Sequence, residues 1–308
     1  MTGLRSPRLR AILQALFVTT LWSTSWVLVK IGLEDIPAVT FAGLRYFLAF
    51  LILIPVFLLS KKATPLRSLS RANWLSLVAL GFLYYAIAQG SQFLALSYLP
   101  AINFSLLLNS SAIIVAILAI PLLGEIPTRL QWAGALLFLV GVLLFFFPLD
   151  IPAALFIGYL FAAVHILASS FSSLLGRSVN RRATIHPLTV TIVSMGIGAT
   201  ILLITGLLTE PLPQLKWQSW LIIIWLALVN TAFAFTLWNH TLRTLSAMES
   251  SIINNTMLIQ ITFLAWLFLD ETLTWLEVLG LALAAVGILL VQIRRGKRES
   301  VRPAEDGA

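Results

Sequence analysis

The chain has 308 residues, 59% of them hydrophobic and only 10% charged, against a charged share of about 25% in soluble domains, which excludes a soluble fold. Lys and Arg number 20 against 12 Asp and Glu, a formal charge of +8. The basic residues sit in short clusters between apolar runs and form no continuous stripe, so they suit a membrane and exclude a nucleic-acid partner. There is no Cys and there are three His, which removes disulfides, thiol catalysis and thiolate metal sites and leaves no convincing metal site.

Residues 72–124 hold 53 positions without a charged side chain, room for two spanning helices of about 20 residues each, with a turn at 97–100. Counted this way, the chain is predicted to have ten spans, at 11–31, 38–60, 74–96, 101–123, 129–147, 152–175, 186–208, 217–241, 247–269 and 275–292. The first run follows Arg5, Arg8 and Arg10 as a signal peptide would, but it reaches Lys30 without a small-x-small cleavage site and reads as a retained helix. The fold class is an all-α membrane protein with ten transmembrane helices.

An even number of spans puts both termini on one face, and alternate loops place 17 of the 20 Lys and Arg on that face. The positive-inside rule makes it the cytoplasmic one, for a protein integral to the cell (inner) membrane.

Shifting the chain by 146 residues aligns 95–146 with 241–292 without a gap and with 18 identities in 52 positions. The informative matches are Ser105 with Ser251, Asn109 with Asn255, Glu125 with Glu271, Thr128 with Thr274, Gly134 with Gly280 and Gly141 with Gly287. Five helices per repeat is an odd number, so the second repeat enters from the opposite face and the two are inverted. The expected organisation is a five-helix repeat over 1–147, its inverted partner over 148–293, and a basic cytoplasmic tail over 294–308. Rocking one such half against the other suits alternating access.

These residues carry a family resemblance. Leu21 to Trp26, Pro37 with Leu44-Arg45-Tyr46, Ala95-Leu96 through Leu123-Gly124-Glu125, Leu237-Trp238 through Ala247, Leu269-Asp270-Glu271, and Gly280 through Gly287 resemble the EamA-type ten-helix members of the drug/metabolite transporter superfamily over nearly the whole chain. Ser23 departs from the pattern, since many relatives carry Gly after the Trp. The resemblance implies an inner-membrane carrier of small metabolites, often exporting them, with amino-acid exporters prominent. Neutral or aromatic amino acids are the expected substrates, because the spans offer amides, hydroxyls and rings but few fixed charges. The alternatives are another metabolite, a cationic drug, or a non-transporting membrane sensor.

Polar side chains inside spans are costly and are either packing contacts, caps or parts of a pathway. Ser246 with Glu249, Thr128 with Gln131 and Thr274 with Glu277 have capping-box spacing. Glu125 and Glu271 are expected to orient helix junctions. The residues proposed to bind substrate are Trp22, Tyr85, Gln89, Asn109, His165, Asn230 and Asn255, all placed near mid-membrane. Tyr85, Gln89 and Gln92 share one helix face. Asn109 and Asn255, related by the repeat, are expected to face each other across the symmetry axis as a binding or packing pair. With no acid at comparable depth, His165 is the candidate for proton coupling, or else a hydrogen-bonded packing residue. Lys30 and Arg45 are expected to snorkel or to pair with Glu34 or Asp35; Arg45 lacks a counterpart in the repeat, which hints at attraction of a carboxylate. Glycines such as Gly134 and Gly141 are close-packing positions, and Pro55 and Pro121 local bends. There is no phosphate-binding G-x-x-x-x-G-K-[ST] loop and no paired-acid, nucleophile–base or metal constellation at span depth. A non-enzymatic carrier without cofactor is expected, its partners a small-molecule substrate and membrane lipid; nothing in the sequence sets an oligomeric state.

Overall fold

The computed structural model describes residues 7–60, 62–123, 127–148, 152–181, 185–211, 214–241, 244–245 and 247–292. Its ten long helical segments are α1 (Pro7–Gly32), α2 (Ala38–Leu59), α3 (Arg71–Tyr98), α4 (Ala101–Leu108 continued by Ser110–Leu123), α5 (Arg129–Phe145), α6 (Ala153–Arg181), α7 (Pro187–Thr209), α8 (Trp217–Ala227, Leu228–Phe233 and Ala234–Thr241), α9 (Ala247–Phe268) and α10 (Trp275–Gln292). They match the ten predicted spans, which makes the chain a ten-helix membrane protein. Large apolar side chains such as Leu58, Leu136, Leu208, Ile259 and Phe263 face outward, as lipid requires. Trp217 and Trp275 stand exposed where α8 and α10 begin at one face, and Trp74 and Trp132 near the starts of α3 and α5 at the other, the positions of an interfacial aromatic belt. The face where α1 begins is here called the near face, the opposite one the far face.

The packing obeys the symmetry that the 146-residue offset implies. α2 packs along α7, and α5 along α10. α1 contacts α8 and α9 in the first half's version of a pattern that α6 repeats with α3 and α4. Exchanging each helix with its counterpart five places on returns the α2–α7 and α5–α10 contacts to themselves and turns those of α1 into those of α6.

Close helix approach explains the paired glycines. A Cβ on Gly134 would lie 2.7 Å from the carbonyl oxygen of Gly287, and one on Gly141 would lie 2.6 Å from that of Gly280 and 2.5 Å from the Ala284 nitrogen. Reciprocally, Cβ atoms on Gly280 and Gly287 would meet the oxygens of Gly141 and Gly134 at 2.6 and 2.7 Å. The α5–α10 seam is thus backbone against backbone, which only small residues permit.

Helix ends are closed by side chains from the other half. At the far face the Glu210 carboxylate, just past α7, accepts from the Val39 and Thr40 amides at 2.9 and 2.7 Å and so caps α2. Glu271 accepts from the Ala101 and Ile102 amides at 2.6 and 2.9 Å and caps α4. A carboxylate at a helix N-terminus satisfies orphan N–H groups and meets the positive end of the helix dipole. Asp270, with φ 54°, makes the left-handed turn that ends α9 and directs Glu271 there. At the near face Thr64 bridges to α7: the His186 amide donates to its hydroxyl at 2.8 Å and its own amide donates to Thr189 Oγ1 at 2.9 Å. Arg8 pairs with Glu249 at 2.5 Å across the halves.

The capping boxes at Thr128 with Gln131 and Thr274 with Glu277 are both formed. Ser246 of the third box, and Glu125, lie outside the described residues.

Two outcomes test this packing. Gly141→Leu is expected to force α5 from α10 and cost about 1–3 kcal/mol, while Gly176→Ala, whose Cβ would meet nothing closer than 3.8 Å, leaves thermal stability in detergent unchanged; equal effects of the two would refute the seam. Glu271→Ala strands two capping amides and is expected to cost about 1–3 kcal/mol, read as a lower unfolding temperature.

Candidate functional site

Two helices leave the α-helical ladder at equivalent places. α3 is π-helical over Gly81–Ala88 and α8 over Leu228–Phe233, and the 146-residue offset carries the second stretch into the counterpart of the first. Tyr84 and Tyr85 correspond to Asn230 and Thr231. In α8 the Thr231 hydroxyl donates to the Leu226 carbonyl five residues back at 2.8 Å, reinforcing the wide turn. Such π segments concentrate at functional sites, and here each one has a backbone carbonyl held by an aromatic ring nitrogen. His165 Nδ1 lies 2.7 Å from the Ala88 oxygen, and Trp22 Nε1 donates to the Asn230 oxygen at 3.1 Å.

Arg45 and Tyr46 on α2 lie between the two π segments. The Tyr46 hydroxyl donates to Gln89 Oε1 at 2.6 Å, and its ring packs edge-on against Tyr85 with centroids 5.7 Å apart. Arg45 turns the other way. Its Nη1 donates to Ser25 Oγ at 2.9 Å and its Nε to Thr231 Oγ1 at 3.3 Å, while the guanidinium sits 5.1 Å from the centroid of the Tyr46 ring. The residue is only 5% exposed. Its partners are neutral hydroxyls and a ring face. The ion pairs among the described residues, Arg8–Glu249 and Lys216–Asp35, lie at the two faces instead. Burying a cation without a counter-ion is unfavourable by several kcal/mol, so this arrangement marks the centre.

The predicted residues divide around this centre. Trp22, Tyr85, Gln89 and Asn230 belong to it, and His165 touches it through Ala88. The Trp22 ring packs on Phe235 and Trp238 of α8 at 5.3 and 5.2 Å. Asn230 is fully buried; its Nδ2 donates to the Leu21 carbonyl and to Thr24 Oγ1 at 3.3 Å. The His165 ring is 3% exposed and edge-on to Phe104; with its Nδ1 against a carbonyl oxygen, that nitrogen must be the protonated one in the neutral ring.

Among the described residues no hydrogen bond joins Asn109 and Asn255. Asn109 interrupts α4. Its amide donates to Leu106 O at 3.2 Å, and its Nδ2 instead serves the Ser105 carbonyl at 2.8 Å, which a regular helix would have bonded with that amide. Asn255 exchanges two hydrogen bonds with Gln292 of α10, at 2.6 and 3.2 Å.

The expectation for Lys30 and Arg45 is also corrected. Lys30 neither snorkels nor pairs with Glu34 or Asp35; its Nζ donates to the Leu96 and Leu99 carbonyls at 2.7 Å each, closing the negative end of α3. Asp35 pairs with Lys216 at 3.1 Å. Arg45 points into the bundle. The residues that sequence reasoning left out of the site are thus Arg45, Tyr46, Ser25 and Thr231, and the available signal was a lone charge inside an apolar span. Ser23, the departure from the glycine pattern, lies with its hydroxyl 2.8 Å from Thr19 O and 3.0 Å from Gln260 Oε1, tying α1 to α9.

Comparison with known proteins agrees with this architecture. The EamA-like transporter family matches residues 9–147 and again 156–293. An uncharacterized transporter of Bacillus subtilis, YoaV, is 24% identical over 91% of this chain and 96% of its own length. A probable amino-acid metabolite efflux pump of Escherichia coli is 26% identical over 90% of this chain and 92% of its own. A crystal structure with 20% identity superposes with a TM-score of 0.66 over 92% of this chain and 97% of its own, a likeness of fold. Two successive matches, covering nearly all of a ten-helix bundle whose halves repeat each other's packing, place this chain in the EamA-like transporter family.

Proposed function

We propose that the chain is a secondary carrier or facilitated exporter of neutral or aromatic amino acids, working by alternating access at the centre bounded by α1, α2, α3 and α8. The observation that carries this reading is the pair of symmetry-related π segments flanking Arg45 and Tyr46 on α2. Each segment is a place where helical geometry has been given up, and a fixed charge, amides and aromatic rings converge between them. That set suits a small zwitterion with an apolar side chain. Trp22, Tyr85, Gln89 and Asn230 would line the substrate, with Asn109 and Asn255 acting in helix packing and His165 as the group next to the site that can exchange a proton through Nε2. A buried guanidinium disfavours the cationic-drug alternative, since like charges would have to share a site of low dielectric. The efflux pump of E. coli named above supports the substrate class.

In this reading the chain divides at residue 147 into two five-helix units that rock against each other. The far-face caps at Glu210 and Glu271 and the near-face contacts at Thr64 and Arg8 each join one unit to the other. Opening either face requires some of them to part. The unit boundary, the inner-membrane location and a cytoplasmic near face belong to the same proposal, the last because of the Lys and Arg bias.

The test of transport is counterflow of labelled amino acids in liposomes containing only this protein. Saturable exchange of neutral or aromatic amino acids, and none of sugars or organic cations, is expected; folded protein that exchanges no amino acid would overturn the substrate class. Orientation has its own measurement, because the chain has no Cys and single cysteines can be placed at will. Asp35→Cys is expected to react with a membrane-impermeant maleimide in intact cells, and Ser300→Cys only after lysis. The reverse pattern would invert the topology.

A further inference from the structure

Resting on the amino-acid reading above, we propose that Arg45 and Asn230 together form a subsite for the head group of an α-amino acid, Arg45 taking the carboxylate and Asn230 the ammonium. Arg45 spends Nε and one Nη1 proton on Thr231 and Ser25. Among the described residues its Nη2 makes no hydrogen bond, so both Nη2 protons and one Nη1 proton are left as donors, enough for two N–H groups on one ligand. That fork matches the two oxygens of a carboxylate. The hydroxyl partners fix the fork in direction without neutralising it.

Asn230 supplies the complement. Its orientation is set by chemistry, because the side-chain atom facing the Leu21 carbonyl must be the NH2 group. Oδ1 is therefore the other atom, and it is buried with no hydrogen-bond partner among the described residues. Buried acceptors without a donor are rare in folded proteins, and an ammonium group offers three donors.

Both residues reach the junction of α1 with α8. Asn230 bonds Thr24 while Arg45 bonds both Ser25 and Thr231, so each is tied to one of two successive residues of α1. An α-amino acid carries both charges on one carbon, and a receptor for it must place a cation and an acceptor next to each other. Trp22, which donates to the Asn230 carbonyl and packs on Phe235 and Trp238, puts an aromatic surface beside the head group. In this conformation Arg45 is 5% exposed, so α1 and α8 part to admit the ligand.

The experiment is ligand-induced thermal stabilisation of the full-length protein in detergent, which reads binding separately from transport. The probes are L-phenylalanine, phenethylamine, which lacks the carboxylate, and 3-phenylpropionate, which lacks the ammonium, with the corresponding leucine series in parallel. The wild type is expected to bind the amino acid about 10- to 100-fold more tightly than either truncated probe, the range for losing a hydrogen-bonded charged group. Arg45→Gln is expected to erase the margin over the amine, and Asn230→Leu the margin over the deaminated acid. Arg45→Lys, which keeps the charge and loses the fork, is expected to retain part of the first margin.

If the wild type binds a truncated probe as tightly as the amino acid, or if both margins survive in Arg45→Gln and Asn230→Leu, the subsite is refuted while amino-acid counterflow still stands as the test of transport. Counterflow without an Arg45-dependent margin would place the carboxylate elsewhere. Absence of stabilisation by all probes together with absence of counterflow would overturn both readings.

Discussion

The hydrocarbon core of a bilayer offers no hydrogen bonds, so wherever this chain departs from a continuous α-helix another group has to satisfy the backbone atoms left over. The structure can be followed through those repairs. Asn109 breaks α4 and mends the Ser105 carbonyl with its own amide group. Thr231 donates five residues back inside the π segment of α8. Lys30 covers the last carbonyls of α3, and Glu271 and Glu210 cover the first amides of α4 and α2. The repairs that come from another helix fix which helices are neighbours, and so the requirement for internal satisfaction dictates much of the tertiary packing as well as the local structure.

Symmetry and its violation do different work. The glycine seam of α5 with α10, the two capping boxes and the two π segments come in equivalent pairs, as expected where two arrangements of the halves must have similar energy. Arg45 has no such partner: setting Pro37 on Pro187 places it opposite Met195, which is buried on α7. The shared scaffold governs how the halves pack, and the unshared cation lends the centre a polarity that the scaffold alone would lack. Tyr84 against Asn230 and Tyr85 against Thr231 extend the same division, with aromatic rings on one π segment and hydrogen-bonding groups on the other.

Much of this was legible in the sequence because apolar length and charge alternation are properties of a one-dimensional string. The ten spans, the repeat offset and the capping boxes at Thr128 and Thr274 all follow from spacing. The site was legible only in part. Depth along a helix located Trp22, Tyr85, Gln89 and Asn230, yet depth does not say which way a side chain points around the helix axis. Arg45 was for that reason assigned to the membrane edge, when α2 turns it toward α1 and α8. Asn109 and Asn255 show the converse: the repeat relates them, but one is consumed by its own helix and the other by Gln292. The π segments leave no composition signal, since a shift from i−4 to i−5 bonding depends on the neighbours that fill the wider turn.

The far-face caps have a further consequence for how such a protein can diverge. Glu210 and Glu271 grip main-chain amides of α2 and α4, and those donors are present whatever side chains occupy Val39, Thr40, Ala101 and Ile102, proline excepted. The capping contacts themselves are thus indifferent to side-chain identity, and Thr40, Ala101 and Ile102, all buried, are constrained by packing instead. Closure and selectivity are therefore separately evolvable: one is written in two acids and a backbone, the other in whatever side chains the helices turn toward the centre.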